Sequence, residues 1–455
     1  MVNRPAPPIT RRRFLGSASA LVLAPTVVPA SALGREGRTP PSERILMGFI
    51  GLGSQGRSNL RHALTKERVQ VVALCDVDDR HTRRARKMVI EKYAKRYGKD
   101  PYRDLALCHR HEELLARREI EAVSIAVPDH WHCHTAVTAA RAGKDIYAEK
   151  PLARTIPEGR LIADTVHRMG LVWQTGSWQR SCRDFRFACE LVRNGRIGRV
   201  TKVEVGLPTG SDGGSLEPAP VPAGFDYERW LGPAPEAPYT KDRTHWDFRW
   251  ILDYSGGQVT DWGAHHCDIA QWGTDREHTG PVEIEGEGRF PRTGLWDAAT
   301  HFFFTCRYAQ GPPMTVSSTP YSKERKGEPW PLENSRGPNP RGVRFQGEEG
   351  WIRVSRETLE AEPESLLKER IRPWEVHLHR SRDHLDDFLD AVRTRRPTAA
   401  PVETAHRSIS IAHLGNIAML LGRPIRWDPV REVLVGDDRA ARLLCRAQRA
   451  PYQIT

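Results

Sequence analysis

Beyond residue 44, short apolar blocks alternate with stretches of helical periodicity. Residues 45–50 (Ile-Leu-Met-Gly-Phe-Ile) form an apolar run that enters the turn Gly51-Leu52-Gly53-Ser54-Gln55-Gly56, and helical spacing follows from Arg57 to about Thr65. A second apolar run, 69–74, ends at Cys75-Asp76, and the strongly charged stretch 79–98 predicts a helix with a solvated face. Residues 122–127 form a third strand that stops at Pro128; a helix is predicted over 132–142, closed by Gly143, and a strand over 145–148. Strands alternating with helices predict an α/β fold whose N-terminal domain, 44–175, is a doubly wound parallel sheet of the Rossmann kind.

After about residue 175 the texture changes. Alternating runs such as 200–205 (Val-Thr-Lys-Val-Glu-Val) and 301–306 (His-Phe-Phe-Phe-Thr-Cys) predict a mostly antiparallel, open sheet with one solvated face. Loops rich in glycine and proline at 206–224, 232–238 and 327–342 interrupt it, and amphipathic helices are expected over 375–395 and 403–421. We therefore place a C-terminal α+β domain at 176–425 and a tail at 426–455. No internal repeat is visible.

The first 32 residues read differently. Thr10-Arg11-Arg12-Arg13-Phe14-Leu15 is followed by an apolar run to Ala30 and then Ala30-Ser31-Ala32. A charged start, an apolar middle and an A-x-A end make a secretory signal, and paired arginines before Phe-Leu make it the twin-arginine type, with cleavage expected after Ala32 and a linker over 33–43. The twin-arginine export machinery is then a partner and the mature chain works outside the cytoplasm. That route carries folded proteins, and no soluble dinucleotide pool exists beyond it. A dinucleotide enzyme sent there has to hold its cofactor and regenerate it within each cycle.

Composition narrows the classes. The chain has 455 residues, 39% apolar and 28% charged, which fits a globular protein. No later stretch has the roughly 18 consecutive apolar residues of a membrane span. The net charge of +12 drops to +8 without residues 1–32, which hold four arginines and no acid. The remaining basic residues mix with acids, so nucleic-acid binding is not expected. Eight cysteines (75, 108, 133, 182, 189, 267, 306, 445) include no C-x-x-C pair and read as small buried hydrophobes.

A G-x-G-x-x-G turn alone says little. Here it follows a strand, opens a helix, and precedes an acid at the end of the next strand by about 20 residues, as a dinucleotide site demands. Gly51 permits the tight turn, Gly53 lets the backbone approach a pyrophosphate, and Gly56 allows close helix packing; Ser54 and Gln55 complete the loop. Asp76 suits the ribose hydroxyls and repels a 2′-phosphate, which favours NAD over NADP, with Arg80 nearby weakening that preference.

Three further segments carry chemistry. Ala148-Glu149-Lys150-Pro151-Leu152, Val127-Pro128-Asp129-His130-Trp131-His132 and Gly256-Gly257-Gln258-Val259-Thr260-Asp261-Trp262-Gly263-Ala264-His265 resemble motifs of the Gfo/Idh/MocA (glucose–fructose oxidoreductase and inositol dehydrogenase) family, in family order, with Asp129 where asparagine is more usual. Residues 424–455 also resemble the tail of exported members. The resemblance implies cofactor contacts from Pro128, Asp129, His132, Glu149 and Lys150. It also implies association into a homo-oligomer through the outer face of the C-terminal sheet.

Asp261 and His265 are four apart, so on one helix they share a face. Oxidising an alcohol requires removal of its proton as hydride leaves. His265 has a suitable intrinsic pKa, Lys150 can stabilise the developing alkoxide, and Asp261 can orient the lysine or bind a neighbouring hydroxyl. The roles of Lys150 and His265 are interchangeable at this level. A metal held by Asp261, His265 and a distant His301 or His377 lacks a compact ligand set, and no metal is expected. Trp131, Trp178 and Trp250 are candidates for stacking on sugar rings, with Gln179, Arg180, Arg249 and Tyr254 as polar neighbours. Trp262 and Trp272 read as core, and His266 as pointing elsewhere.

Three readings stand: an NAD-dependent sugar or polyol oxidoreductase with tightly held cofactor; a glycosidase that oxidises carbon 3 transiently and eliminates the aglycone; and a sugar-binding protein without activity.

Overall fold

The computed structural model describes residues 40–97, 105–318 and 341–454. The twin-arginine segment, Ala32 and most of the loop expected at 327–342 lie outside them. Contacts divide the chain into residues 1–44 and a compact unit Ile45–Thr455, which holds both sheets. No helix among the described residues is long and apolar enough to cross a membrane.

Six parallel strands form the first sheet: β1 (Ile45–Ile50), β2 (Val69–Cys75), β3 (Ala106–Cys108), β4 (Ala122–Ile125), β5 (Asp145–Ala148) and β6 (Trp173–Thr175), in the order β3-β2-β1-β4-β5-β6. The helices between them are α1 (Ser54–Ala63), α2 (Asp79–Tyr97), α3 (His111–Leu115), α4 (Asp129–Arg141) and α5 (Ile156–Arg168). Strands β1, β2, β4 and β5 read as near-continuous apolar runs because helices cover both faces of a parallel sheet. Order reverses at β1, whose neighbours β2 and β4 lead away in opposite directions, so a crevice opens at the carboxyl ends of these strands. Helix α4 starts at Asp129, three residues before the expected 132, because Pro128 fixes an extended N-cap and leaves the next residues free to turn.

The chain continues through α6 (Arg183–Arg193), β7 (Val200–Gly206), α7 (Tyr227–Leu231), α8 (Gly257–Asp261) and α9 (Gly263–Gly273) to β8 (Glu283–Arg289), β9 (His301–Arg307) and β10 (Met314–Ser317). Strands β11 (Gly342–Gly347), β12 (Trp351–Val354) and β13 (Leu359–Glu362) follow, then α10 (His384–Thr394), α11 (Val402–Leu421), β14 (Ile425–Asp428), β15 (Val433–Leu434) and α12 (Asp438–Ala441). Nine strands join in the order β13-β12-β11-β7-β10-β9-β8-β14-β15, and every pair is antiparallel except β7 with β10. Alternation sets the two faces: Val203, Val205, Phe302, Phe304, Val316 and Phe345 point into the core at 1% exposure or less, while Lys202, Glu204, Arg344 and Gln346 point away.

Helix α11 is apolar nearly all round and packs against α9, β8 and α5 at once, joining the core of the two sheets. The helix expected over 375–395 begins only at His384, where Asp383 caps it through the Asp386 N–H at 2.9 Å. The D-x-x-x-H segment is also not one helix. A break at Trp262 ends α8 at Asp261 and starts α9 at Gly263.

Behind the cleft, Arg180 is not a substrate residue. Its Nε lies 2.6 Å from Asp268 and its Nη1 2.8 Å from Glu277, with 3% of the side chain exposed. Removing the guanidinium strands the buried Asp268 carboxylate and leaves the half-buried Glu277 only Arg193, at 3.6 Å. We predict that Arg180→Ala lowers the unfolding free energy by about 3–5 kcal/mol in urea denaturation followed by circular dichroism. A loss confined to sugar affinity, with unchanged stability, would contradict this.

Candidate active site

A cavity of about 840 Å³ runs from the glycine turn to Lys150, Asp261 and His265. Its first arm is built by the β1–α1 connection. Gly51 has φ +82°, and a Cβ there would sit 2.4 Å from the Ala126 carbonyl oxygen, so only glycine fits. A Cβ on Gly56 would strike the Gly51 carbonyl oxygen at 1.9 Å, so Gly56 packs beneath the turn and stays outside the cavity. Gly53 faces open space, and with Ser54 and Gln55 it lines the cavity at the N-terminus of α1. Open space at a bare backbone beside helix N–H groups suits a pyrophosphate.

Asp76 also lines this arm. Its Oδ2 accepts from the Leu52 N–H at 2.6 Å, with His81 Nδ1 3.4 Å away, and its Oδ1 accepts from the Asp78 N–H at 2.8 Å and keeps a further acceptor position. Arg80 does not approach it: the guanidinium grips Asp78 at 2.8 Å, so the weakening of NAD preference expected from Arg80 is not realised. One Glu149 oxygen accepts from Gln55 at 3.1 Å and Asn59 at 3.0 Å, anchoring the strand end that carries Lys150. This donor and acceptor set fits a dinucleotide.

The excursion between β7 and α8 returns to the end of β2. Asp226 donates its N–H to the Val77 carbonyl at 2.9 Å, and Asp79 donates to Gly224 at 2.9 Å. Phe225, Arg229 and His245 thereby wall the Asp76 end of the cavity, and Trp246 stacks on Arg249 toward the other arm. Among the described residues one histidine–carboxylate group has the spacing to share an ion: Asp78, His81 and His245, with Asp78 already held by Arg80. His301 and His377 are not brought to Asp261 and His265; His377 bonds the Arg372 carbonyl at 2.9 Å.

At the other arm the two halves of the unit meet. Gly257 has φ +68°, which lets α8 turn immediately after Gly256 and carry Asp261 under Lys150. Lys150 Nζ bonds Asp261 Oδ1 and also reaches the Asp261 carbonyl at 3.3 Å; Arg249 takes Oδ2 at 3.0 Å. Burial alone pushes the Asp261 carboxyl up, but Lys150 and Arg249 outweigh it and hold it below the usual carboxylate range. His265 is buried with Nδ1 unpartnered among the described residues. Burial, then Lys150 and Arg356, drive its pKa well below that of a free imidazole, so it is neutral at pH 7. Asp129 lines the cavity and takes the Ser255 hydroxyl; burial pushes its carboxyl up to about 7.

Of the proposed contacts, Pro128, Trp131, Trp178, Arg249 and Trp250 also line the cavity. Others are elsewhere. Gln179 and Tyr254 are fully buried behind it, Tyr254 accepting from Arg243 at 3.0 Å. His132 has its ring nitrogens 2.6 and 2.9 Å from the Pro151 and Val127 carbonyls, so it ties the two motif loops together and touches no cofactor space. Trp131 is 6% exposed and spends its N–H on the Trp230 carbonyl at 2.9 Å. His266 turns away to the Gly206 carbonyl at 3.0 Å, and Trp272 is core. Trp262, expected in the core, lines the cavity because the break beside it turns the ring outward. Arg57, His81, His245, Ser255 and Arg356 are cavity residues that periodicity and motif reading missed. Arg57 alone carried a signal, by abutting the last glycine of the turn.

Two outcomes follow from this geometry. A methyl at position 53 meets no protein atom within 4 Å and projects into the cavity, so Gly53→Ala should keep wild-type stability and lose at least about tenfold in NAD affinity by calorimetric titration, whereas Gly51→Ala should unfold more easily. Equal NAD affinity in Gly53→Ala would contradict the assignment. For Asp129, a folded pKa near 7 lies above the unfolded value. Its protonated form therefore stabilises the fold below about pH 4, and that stability is lost as pH rises through 7. The stability difference between wild type and Asp129→Asn should accordingly shift against wild type from pH 5 to pH 8; a pH-independent difference would contradict it.

Comparison with known proteins agrees with the fold and the cleft. Residues 45–177 match the model described as oxidoreductase family, NAD-binding Rossmann fold, and residues 186–319 with 372–454 match its C-terminal alpha/beta domain. A glycosyl hydrolase family 109 protein of Shewanella pealeana is 27% identical over 205 residues, 42% of this chain and 41% of its own. An alpha-N-acetylgalactosaminidase of Shewanella oneidensis is 31% identical over 175 residues, 35% of this chain and 37% of its own. The chain thus spans about two fifths of the length of these curated relatives. Among solved structures, an aldose-aldose oxidoreductase of Caulobacter crescentus superposes with a TM-score of 0.58 at 16% identity, covering 84% of this chain and 99% of that one. The WlbA dehydrogenase of Bordetella pertussis, solved with NADH and UDP-GlcNAcA, gives 0.58 at 15% identity, covering 85% and 99%. With both family models matched in order and the glycine turn, Lys150, Asp261 and His265 around one cleft, the chain belongs to the NAD-binding Gfo/Idh/MocA oxidoreductase family.

Proposed function

We propose that this enzyme oxidises a hydroxyl-bearing carbon of a sugar or glycoside, with NAD retained through the cycle and the chain working after export. The observation that carries this reading is one continuous cavity with the dinucleotide cradle at one end and Lys150, Asp261 and His265 at the other. Bound NAD supplies the hydride acceptor. The chain supplies the rest. Lys150, fixed by Asp261, presents its ammonium to the substrate oxygen and stabilises the alkoxide as it forms. Neutral His265 takes the hydroxyl proton, and its depressed pKa returns that proton readily when the carbonyl is reduced again. Trp178 offers an exposed indole face to the sugar ring.

Asp129 favours a second reading, the glycosidase cycle. Oxidation at carbon 3 acidifies the neighbouring carbon–hydrogen bond, and elimination then needs one more base. A buried cavity carboxyl with a pKa of about 7 meets that need. Names of the glycosyl hydrolase relatives point the same way.

The test is incubation of purified holoprotein with aryl glycosides and no added NAD, following aglycone release and the absorbance of bound NADH together. A stoichiometric absorbance rise without release supports the oxidoreductase; catalytic release supports the glycosidase cycle. Lys150→Ala and His265→Ala should each lower the rate about 10²–10⁴-fold while NAD stays bound. No signal with any sugar tested would leave a binding protein and overturn the proposal.

A further inference from the structure

The substrate arm of the cavity carries more positive charge than the chain neutralises. Lys150, Arg249 and Arg356 line it, against one fully ionised carboxylate, Asp261. Lys150 and Arg249 each hold one oxygen of that carboxylate. Glu149 is turned to Gln55 and Asn59 at the nucleotide arm, and Arg229, farther along the wall, is paired with Glu112. Arg356 is left over. Among the described residues no carboxylate forms an ion pair with it; Glu357, its chain neighbour, takes the Ser355 hydroxyl at 3.2 Å and acts on Arg356, with Asp261, only at longer range.

Arg356 is nevertheless held in place. Its guanidinium carbon lies 4.2 Å from the ring centroid of Trp262 and 4.9 Å from that of Trp178. Both rings line the same cavity, and the charge of Arg356 is felt at His265 and Asp261. Stacking on indoles engages the faces of a guanidinium and leaves its N–H edges free, which is the arrangement for gripping two oxygens of one anion. Arg356 itself remains solvent-exposed, so an incoming anion can reach its guanidinium. A neutral sugar would leave this cation without an anionic partner.

From this we infer that the sugar bound here carries an anionic oxygen group, a carboxylate or a sulfate ester, and that Arg356 receives it while Lys150 and His265 address a hydroxyl on the same ring. The inference rests on the proposed sugar chemistry for its setting, yet it is read by binding alone. Holoprotein is titrated with para-nitrophenyl glucoside, glucuronide and glucose sulfate ester, in both anomers, following tryptophan fluorescence at low and high salt, with turnover recorded in parallel. An acidic member should bind about ten- to a hundredfold more tightly than its neutral counterpart, with preference for glucuronide identifying a carboxylate and preference for the ester a sulfate. That advantage should disappear in Arg356→Gln and shrink in Arg356→Lys, which keeps the charge without the fork. Urea midpoints and retained NAD establish that the variants are folded.

Equal or tighter binding of the neutral sugar, a preference that survives Arg356→Gln, or no binding by any member overturns the inference. Turnover of neutral sugars without acid preference sinks it alone and leaves the oxidoreductase standing. Arg356-dependent acid binding with no hydride transfer or cleavage sinks the catalytic reading and leaves the anion subsite.

Discussion

The whole reactive end of this molecule turns on one buried carboxylate. Asp261 holds Lys150 on one oxygen and Arg249 on the other, and those cations come from opposite sides of the cleft: the end of the parallel sheet and the excursion that precedes α8. Without that charge, three cations would share one partly dry cavity, where like charges repel more strongly than in water. With it, the ammonium is fixed toward the cavity, while burial and the charges of Lys150 and Arg356 keep the nearby imidazole neutral. The break at Trp262 belongs to the same arrangement, because it releases the indole toward the cavity while Asp261 stays under the lysine.

The proposed retention of the cofactor would have its own structural basis. The excursion between β7 and α8 bonds back to Val77 and Asp79 and walls the Asp76 end of the cleft with Phe225 and His245. A nucleotide seated there would lie between residues from both sheets' connections. Such enclosure suits an enzyme that regenerates its cofactor in place.

Much of this was legible in the sequence, and the reasons it was legible are physical. Parallel strands buried on both faces must be apolar runs, so β1, β2 and β5 stand out within a residue or two of their ends. The glycine turn shows because no other residue fits Gly51 or Gly56. Lys150, Asp261 and His265 were found because their motifs occur together in order. Side-chain direction was far less legible. Arg180, Gln179 and Tyr254 have the composition of sugar contacts but face the core, and nothing in local spacing distinguishes a buried ion pair from a binding group. Arg356 and His245 were missed for the converse reason: they reach the cleft from distant strands and loops through tertiary packing, with no motif around them. The helix expected from 375 fails in its first turns because a cap at Asp383 sets the start, which hydrophobic periodicity does not report.

The central claim is that Asp261 organises the reaction without holding the nucleotide. It is tested most directly by single-turnover absorbance of bound NADH after sugar is added to holoprotein carrying Asp261→Asn, with NAD content measured on the same sample. The account predicts full NAD occupancy and a rate of reduction at least about a hundredfold lower. Reduction at the wild-type rate, or loss of NAD itself, would contradict it.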